Sequence, residues 1–198
     1  MLEELKKNVN GNYVTKKNNC FELIIKNKKE LLRITKNLKV NKLLAFDQLI
    51  DITAVDYPSR NLRFELVYIF LSLIKNIRLI IKIHLNEEEG VESISSIHKA
   101  ANWYERECYD LFGIEFFNHP DLRRIMTDYN FEGYPLRKDF PLTGHTEVRY
   151  DELEKKVIYE PVKLNQEYRN FDYNSPWEGL PNTLMGDEKS KEKINEGN

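Results

Sequence analysis

Cysteine is scarce in this chain of 198 residues: Cys20 and Cys108 stand alone and far apart. Two isolated thiols do not make a disulfide framework, and a reducing compartment is the expected setting. Histidine is sparse too, with His84, His98, His119 and His145 scattered along the chain. Neither a zinc site nor an iron–sulfur cluster finds its ligand spacing here. The glycines, Gly11, Gly90, Gly113, Gly133 and Gly144 among them, form neither a phosphate-cradling loop nor a dinucleotide fingerprint. A dominant charge is missing as well. With 30 basic and 32 acidic residues the formal net charge is −2, which sets up no global field toward nucleic acid or anionic lipid. Basic pairs such as Lys16-Lys17 and Lys28-Lys29 lack interleaved aromatics and read as solvated surface. The longest apolar stretch, residues 66–74, stops at Lys75 and is too short to span a bilayer as a helix. Residues 1–7 are charged and lack an apolar core, so they are not read as a signal peptide.

What is present fits one medium domain, or one domain with an extended tail, long enough to bury a core without disulfides or metal. Residues 2–8 read as a short amphipathic helix, broken by Asn10-Gly11-Asn12. A strand over 21–25 and a helix over 28–38 follow. Three β segments come next, at 45–55, 63–74 and 77–85. Alternation such as Phe64/Leu66/Tyr68/Phe70 and Leu79/Ile81/Ile83/Leu85 supports them. Lys75-Asn76 reads as a two-residue hairpin loop. Further on, residues 148–150 and 157–159 suggest a small second hairpin. The fold class is α+β: a mainly antiparallel sheet with flanking helices, a loop-rich region, and an extended C-terminal arm. Domain boundaries are placed at 1–150 for the α+β domain, 151–181 for the arm and 182–198 for a disordered, charged tail.

The chain is organised around residues 101–150. Ala101, Tyr104, Cys108, Leu111 and Phe112 recur at helical spacing and give one apolar face. Glu105, Arg106, Glu107 and Asp110 fall off that stripe. Arg106 is within reach of Asp110 across one turn, and Gly113 stands where a helix ends in a left-handed residue. Cys108, on the apolar face, reads as a buried structural thiol rather than a nucleophile. Glu105 and Glu107 point in different directions on a helix and cannot share an acid–base site. Ion pairs with Arg106, Arg123 or Arg124 are the expected use. After Gly113, Pro, Gly, Asn and Asp recur too often for a long regular element. A loop region dense in Arg, Asp and aromatics suits a partner surface or a purely structural role.

A family resemblance rests on these same residues. Glu105-Arg106-Glu107, Asp110-Leu111-Phe112-Gly113 and His119-Pro120-Asp121-Leu122-Arg123-Arg124 are similar to the signature of the thirty-kilodalton subunit family of proton-pumping NADH:quinone oxidoreductase, respiratory complex I. The likeness continues through Thr127-Asp128-Tyr129, Phe131-Glu132-Gly133, Pro135-Leu136-Arg137-Lys138-Asp139-Phe140-Pro141-Leu142 and Glu147-Val148-Arg149-Tyr150, and on to Ser175-Pro176-Trp177. It is close over residues 102–177; residues 1–90 agree only in the order of elements. Departures are Asn130 where Gly is usual, exchanged Tyr134 and His145, and Cys108 in place of an aliphatic or aromatic residue. Asn tolerates positive φ next best after Gly, so the turn at Asn130 is expected to survive.

The resemblance implies a non-catalytic scaffold in the peripheral arm, of the mitochondrial subunit nine type. Such a chain binds no cofactor of its own, with FMN and the iron–sulfur clusters in partner subunits. Its neighbours would be the quinone-site large subunit and the terminal-cluster subunit, with no nucleic acid and with membrane association only through the complex. Glu105, Arg106, Glu107, Asp110, His119, Asp121, Arg123, Arg124, Arg137 and Asp139 would be the partner-docking signature. The implied location is the matrix side of the mitochondrial inner membrane, or the cytoplasmic side of a bacterial membrane. Two other readings stay open: the equivalent subunit of a plastid, cyanobacterial or membrane-hydrogenase complex, and a stand-alone enzyme, which the missing nucleophile, metal and phosphate-loop patterns disfavour.

Overall fold

The alternating apolar rows at 64–70 and 79–85 lie side by side at the centre of a five-stranded sheet. The computed structural model of the protein describes Leu5, the backbone of residues 13–17, and residues 20–164. The strands are β1 (Tyr13–Lys17), β2 (Cys20–Ile25), β3 (Gln48–Asp56), β4 (Phe64–Ser72) and β5 (Ile77–Leu85), arranged β1-β2-β5-β4-β3. β2 and β5 run parallel, from Cys20 opposite Arg78 to Ile25 opposite Ile83; the other neighbours are antiparallel. Parallel neighbours need a crossover, and helix α1 (Leu31–Val40) with the β3–β4 hairpin supplies the intervening chain.

One face of the sheet is the core. Phe64, Leu66, Tyr68 and Phe70 of β4 stand opposite Leu85, Ile83, Ile81 and Leu79 of β5, and all eight are essentially inaccessible. Leu23 and Ile25 extend the layer on one side and Ile52 and Ala54 on the other. Leu31, Ile34 and Leu38 of α1 and Ala101, Cys108 and Phe112 of helix α2 (Ala101–Phe112) join the same cluster. At roughly 25 cal/mol per Å² of apolar surface removed from water, this layer is the main source of stability. Cys108 is part of it: its thiol donates to the Ile52 carbonyl oxygen at 3.3 Å, and burial pushes its pKa well up.

Several details differ from the sequence expectation. β1 has no clear sequence signal, because its short Tyr-Val-Thr run adjoins Lys16 and Lys17. The β4–β5 connection is four residues rather than two: Ser72 pairs with Ile77, and Asn76 takes φ 49° to close the turn. Leu73 and Ile74 are therefore exposed turn residues and not strand. The helix expected at 28–38 starts as a 3-10 turn (Lys28–Glu30) and runs on to Val40. β3 starts at Gln48, three residues late, because Ala45 sits at φ 48° in the turn that leaves α1. The helix expected at 2–8 lies outside the described residues except for Leu5, which is helical and buried.

Beyond the sheet, β6 (Val91–Glu92) pairs with β7 (Phe116–Phe117) in parallel, bracketing α2. Residues 118–145 are turns and bends, as expected. The second hairpin forms from β8 (Thr146–Asp151) and β9 (Lys156–Pro161). The chain divides into two units after Glu160, and the first holds the five-stranded sheet, α1, α2 and the loop region. The arm expected at 151–181 leaves the described residues at 165, and the tail at 182–198 lies wholly outside them.

Candidate functional site

The loop region after α2 is held to that helix by charged side chains placed inside the protein. Asp110, in the last turn, is fully buried. Its carboxylate accepts from the successive amides of Ile125, Met126 and Thr127 at 3.0, 2.6 and 2.8 Å, from the Thr127 hydroxyl, and from Arg124 Nη1 at 2.8 Å. Converging amides make an anion-binding concavity, filled here by the chain's own side chain. Burial by itself pushes this carboxyl up. The Thr127 hydroxyl, the Thr127 and Ile125 amides and the Arg124 guanidinium outweigh it and bring the pKa down to about 2.

Arg124 continues the clamp. It donates to the Gly133 carbonyl at 3.1 Å and lies over the rings of Tyr134 and Phe131 at 5.4 and 5.8 Å. Arg106 does not pair with Asp110 as expected. Its Nε and Nη2 donate instead to the carbonyls of Arg123 and Arg124 at 3.1 and 3.2 Å, with the guanidinium over Trp103. Arg137 caps the end of α2: its Nε donates to the Phe112 carbonyl at 2.6 Å, where a cation also suits the helix dipole. Gly113 at φ 77° ends the helix as expected, its amide bonded to Tyr109.

Glu105, also expected in an arginine ion pair, has no arginine partner among the described residues. It is buried and accepts from the Ser93 hydroxyl at 2.6 Å and the Ile94 amide at 2.8 Å. Burial pushes its carboxyl up to about 7, against those two bonds. His119 Nε2 stands 3.8 Å from it and 3.1 Å from the Asn102 carbonyl, while Nδ1 accepts from the Asp121 amide at 3.0 Å. That pattern fixes the neutral tautomer with the proton on Nε2. Burial lowers the His119 pKa, against the bond to Asn102, which raises it.

A further ion cluster escaped sequence reasoning. Arg63, buried just before β4, forks onto Asp56 at 2.7 and 2.8 Å, pairs with Asp139 at 2.9 Å and also meets Glu87. The Lys138 amide donates to the same Asp56 carboxylate at 2.7 Å, so this cluster anchors the far end of the loop region to the sheet. Opposite charges flanking the 57–62 turn are the signal that could have revealed it.

The structure thus brings Asp110 and Arg124 together, Glu105 and His119 together, and Asp139 onto Arg63. Arg106 and Arg137 bind backbone carbonyls. Glu107, Asp121 and Arg123 are exposed, the last two paired with each other at 3.0 Å. Among the described residues no group of three or more His, Cys, Asp and Glu could hold a metal ion, and no helix is long and apolar enough to cross a membrane.

The architecture is that of an α+β chain seen in a respiratory assembly. A chain of the membrane-bound sulfane sulfur reductase, an archaeal respiratory membrane complex, shares the fold with a TM-score of 0.59 and 23% identity, covering 71% of this chain and 84% of that one. Residues 24–146 match the family described as respiratory-chain NADH dehydrogenase, 30 Kd subunit. An NADH-quinone oxidoreductase subunit from Hyphomonas neptunium is 63% identical over 147 residues, 74% of this chain and 73% of the relative. Its namesake from Roseobacter denitrificans is 50% identical over 191 residues, 91% and 96% of the two chains. The chain belongs to the respiratory-chain NADH dehydrogenase 30 kDa subunit family. The family match begins at residue 24, so it includes most of the sheet as well as the charged signature.

Proposed function

We propose that the chain is a non-catalytic core scaffold of the peripheral arm of proton-pumping NADH:ubiquinone oxidoreductase. It supports electron transfer from NADH to quinone by docking the quinone-site and terminal-cluster subunits. One observation carries the reading. The buried charged residues of the signature, Glu105, Arg106 and Asp110, are tied to the chain's own backbone and side chains. Arg106 and Asp110 brace a long irregular loop region, and Glu105 the 93–94 segment, into a fixed surface instead of assembling reacting groups. Rigid, preorganised loops suit recognition because less conformational freedom is lost on association. FMN and iron–sulfur clusters belong, on this reading, to neighbouring subunits, and the membrane is reached only through the complex. The names and identities of the relatives support the respiratory machine over a plastid or hydrogenase counterpart. The bacterial relatives fit the cytoplasmic face of a bacterial membrane; the mitochondrial inner membrane rests on the resemblance alone.

Arg123 tests the docking role. It is exposed and its ion pair is with exposed Asp121, so Arg123→Glu should change stability by no more than about 0.5 kcal/mol. Across an interface the same reversal sets like charges together, which costs several kcal/mol. The expected result is a folded chain that fails to enter the complex on native electrophoresis. Wild-type assembly of this variant would refute docking at that position.

A further inference from the structure

The β8–β9 hairpin carries apolar surface that the core of the sheet does not use. Val148 and Tyr150 are each 57% exposed, Val157 54% and Tyr159 62%. Side chains alternate along a strand, so Thr146, Val148 and Tyr150 share one face of β8, and Val157 and Tyr159 share one face of β9. Two contacts put those faces on the same side. Thr146 and Tyr159 line one cavity. Arg149 and Glu160, each on the opposite face of its strand, pair with one another at 3.0 Å. The hairpin therefore carries Val148, Tyr150, Val157 and Tyr159 on one largely exposed face, with Arg149, Glu160 and half-buried Ile158 on the other. An isolated two-stranded hairpin is marginal in water, and a contiguous exposed apolar face marks an interaction site.

That face runs into a cavity of about 580 Å³ walled by Phe131, Phe140 and Tyr159, with Asp128 and Glu132 among its lining residues. Among the described residues that line it none is lysine or arginine. The Tyr159 hydroxyl donates to Asp128 at 2.8 Å and fastens the hairpin to the loop. The Phe131 and Phe140 rings are 5.7 Å apart, and a Cβ at Gly133 would come within 2.8 Å of the Phe140 ring. The wall is built around that glycine.

We propose that this face and cavity dock an extended segment of another subunit that carries an apolar side chain beside a lysine or arginine. The proposal rests on the reading of the chain as a subunit of a larger complex and specifies one of its contacts. The carboxylates select the occupant. A second copy in a two-fold contact would set Asp128 and Glu132 against themselves, and an anionic lipid surface would be repelled in the same way. A cation beside an apolar anchor satisfies the carboxylates, and the anchor meets the side chains of Phe131, Phe140 and Tyr159, the kind of pocket in which binding energy concentrates.

The test places the photo-crosslinking residue p-benzoylphenylalanine at Val157 of the full chain, in cells whose own copy it replaces. After irradiation, the band with NADH dehydrogenase activity is cut from a native gel and its crosslinked peptides are sequenced. The expected product joins residue 157 to a different protein of that band, at an apolar position with Lys or Arg within a few residues. Asp128→Asn with Glu132→Gln should lower its yield roughly tenfold, the effect of losing about 1.4 kcal/mol. A crosslink to the chain itself, to a second copy, to lipid or to a segment without a cation overturns the proposal, as does no crosslink or an unchanged yield in the double variant. In each of those cases a chain still present in the active band leaves the reading as a member of the complex standing. A chain missing from that band overturns both.

Discussion

Replacing Asp110 by Asn tests whether the loop region is braced from within. The side chain keeps its shape, but one of two acceptor oxygens becomes an NH2 facing a row of backbone donors and Arg124. Breaking a buried charge pair by changing one partner typically costs about 3–5 kcal/mol. The pKa gives a second figure. A carboxyl lowered from 3.8 to about 2 on folding contributes roughly 2.5 kcal/mol above pH 4, through linkage. The sign is that of a depressed acid: the contribution is whole above the unfolded pKa and is lost as pH falls toward the folded value, with about half left at pH 3. Urea unfolding of wild type and Asp110→Asn, followed by circular dichroism at pH 7 and again at pH 3, reads both quantities. We expect a loss of about 3 kcal/mol at pH 7 that shrinks by more than about 1 kcal/mol at pH 3. In a double-mutant cycle, Arg124→Met should show coupling of roughly 2 kcal/mol. A loss under about 1 kcal/mol, or one indifferent to acid, would refute the clamp.

Three other outcomes follow from the same geometry. Glu105, raised to about 7 by burial, contributes stability that is whole below about pH 4.5 and lost as pH rises toward 7. Glu105→Gln keeps an acceptor oxygen for the Ile94 amide and turns its NH2 toward the Ser93 hydroxyl, which can accept, so it should abolish that decline and exceed wild type at pH 8 by roughly 1–2 kcal/mol, measured by urea unfolding. Arg63→Met strands the buried Asp56 carboxylate and should cost about 3–5 kcal/mol, whereas Asp139→Asn, at an exposed position, should cost no more than about 1 kcal/mol; thermal melts compare them. Gly113→Ala meets both a φ of 77° and a Cβ placed 2.6 Å from Arg137 and Tyr134, so it should lower stability by at least about 2 kcal/mol in the same melts.

The sheet was readable because its two central strands bury every second residue, so Phe64 to Phe70 and Leu79 to Leu85 show their period directly. The end of α2 was readable for a similar reason: Gly113 suits the left-handed backbone conformation required there. The second hairpin was visible from short runs of Val and Tyr. Burial on the polar side of α2 was not. A helical period reports the largest apolar stripe and is silent about a second face covered by distant chain. Glu105, Arg106 and Asp110 fall off the stripe, yet segments at 93–94 and 119–134 close over them. The arginine partners went astray for the same reason. Sequence spacing matches Arg106 to Asp110 one turn away, but a loop 14 residues on supplies Arg124 to that carboxylate. The Arg63 cluster joins residues 56, 63, 87 and 139, a convergence set by tertiary structure alone.

Native electrophoresis of gently solubilised membranes decides whether this chain is a scaffold within an NADH:quinone oxidoreductase. Bands are stained in the gel for NADH dehydrogenase activity and analysed by mass spectrometry. We expect the chain to comigrate with flavin- and quinone-site subunits in an active band, and the purified chain alone to show no NADH turnover. A chain that migrates as a free monomer beside an intact, active complex would show that it is not a scaffold of that complex.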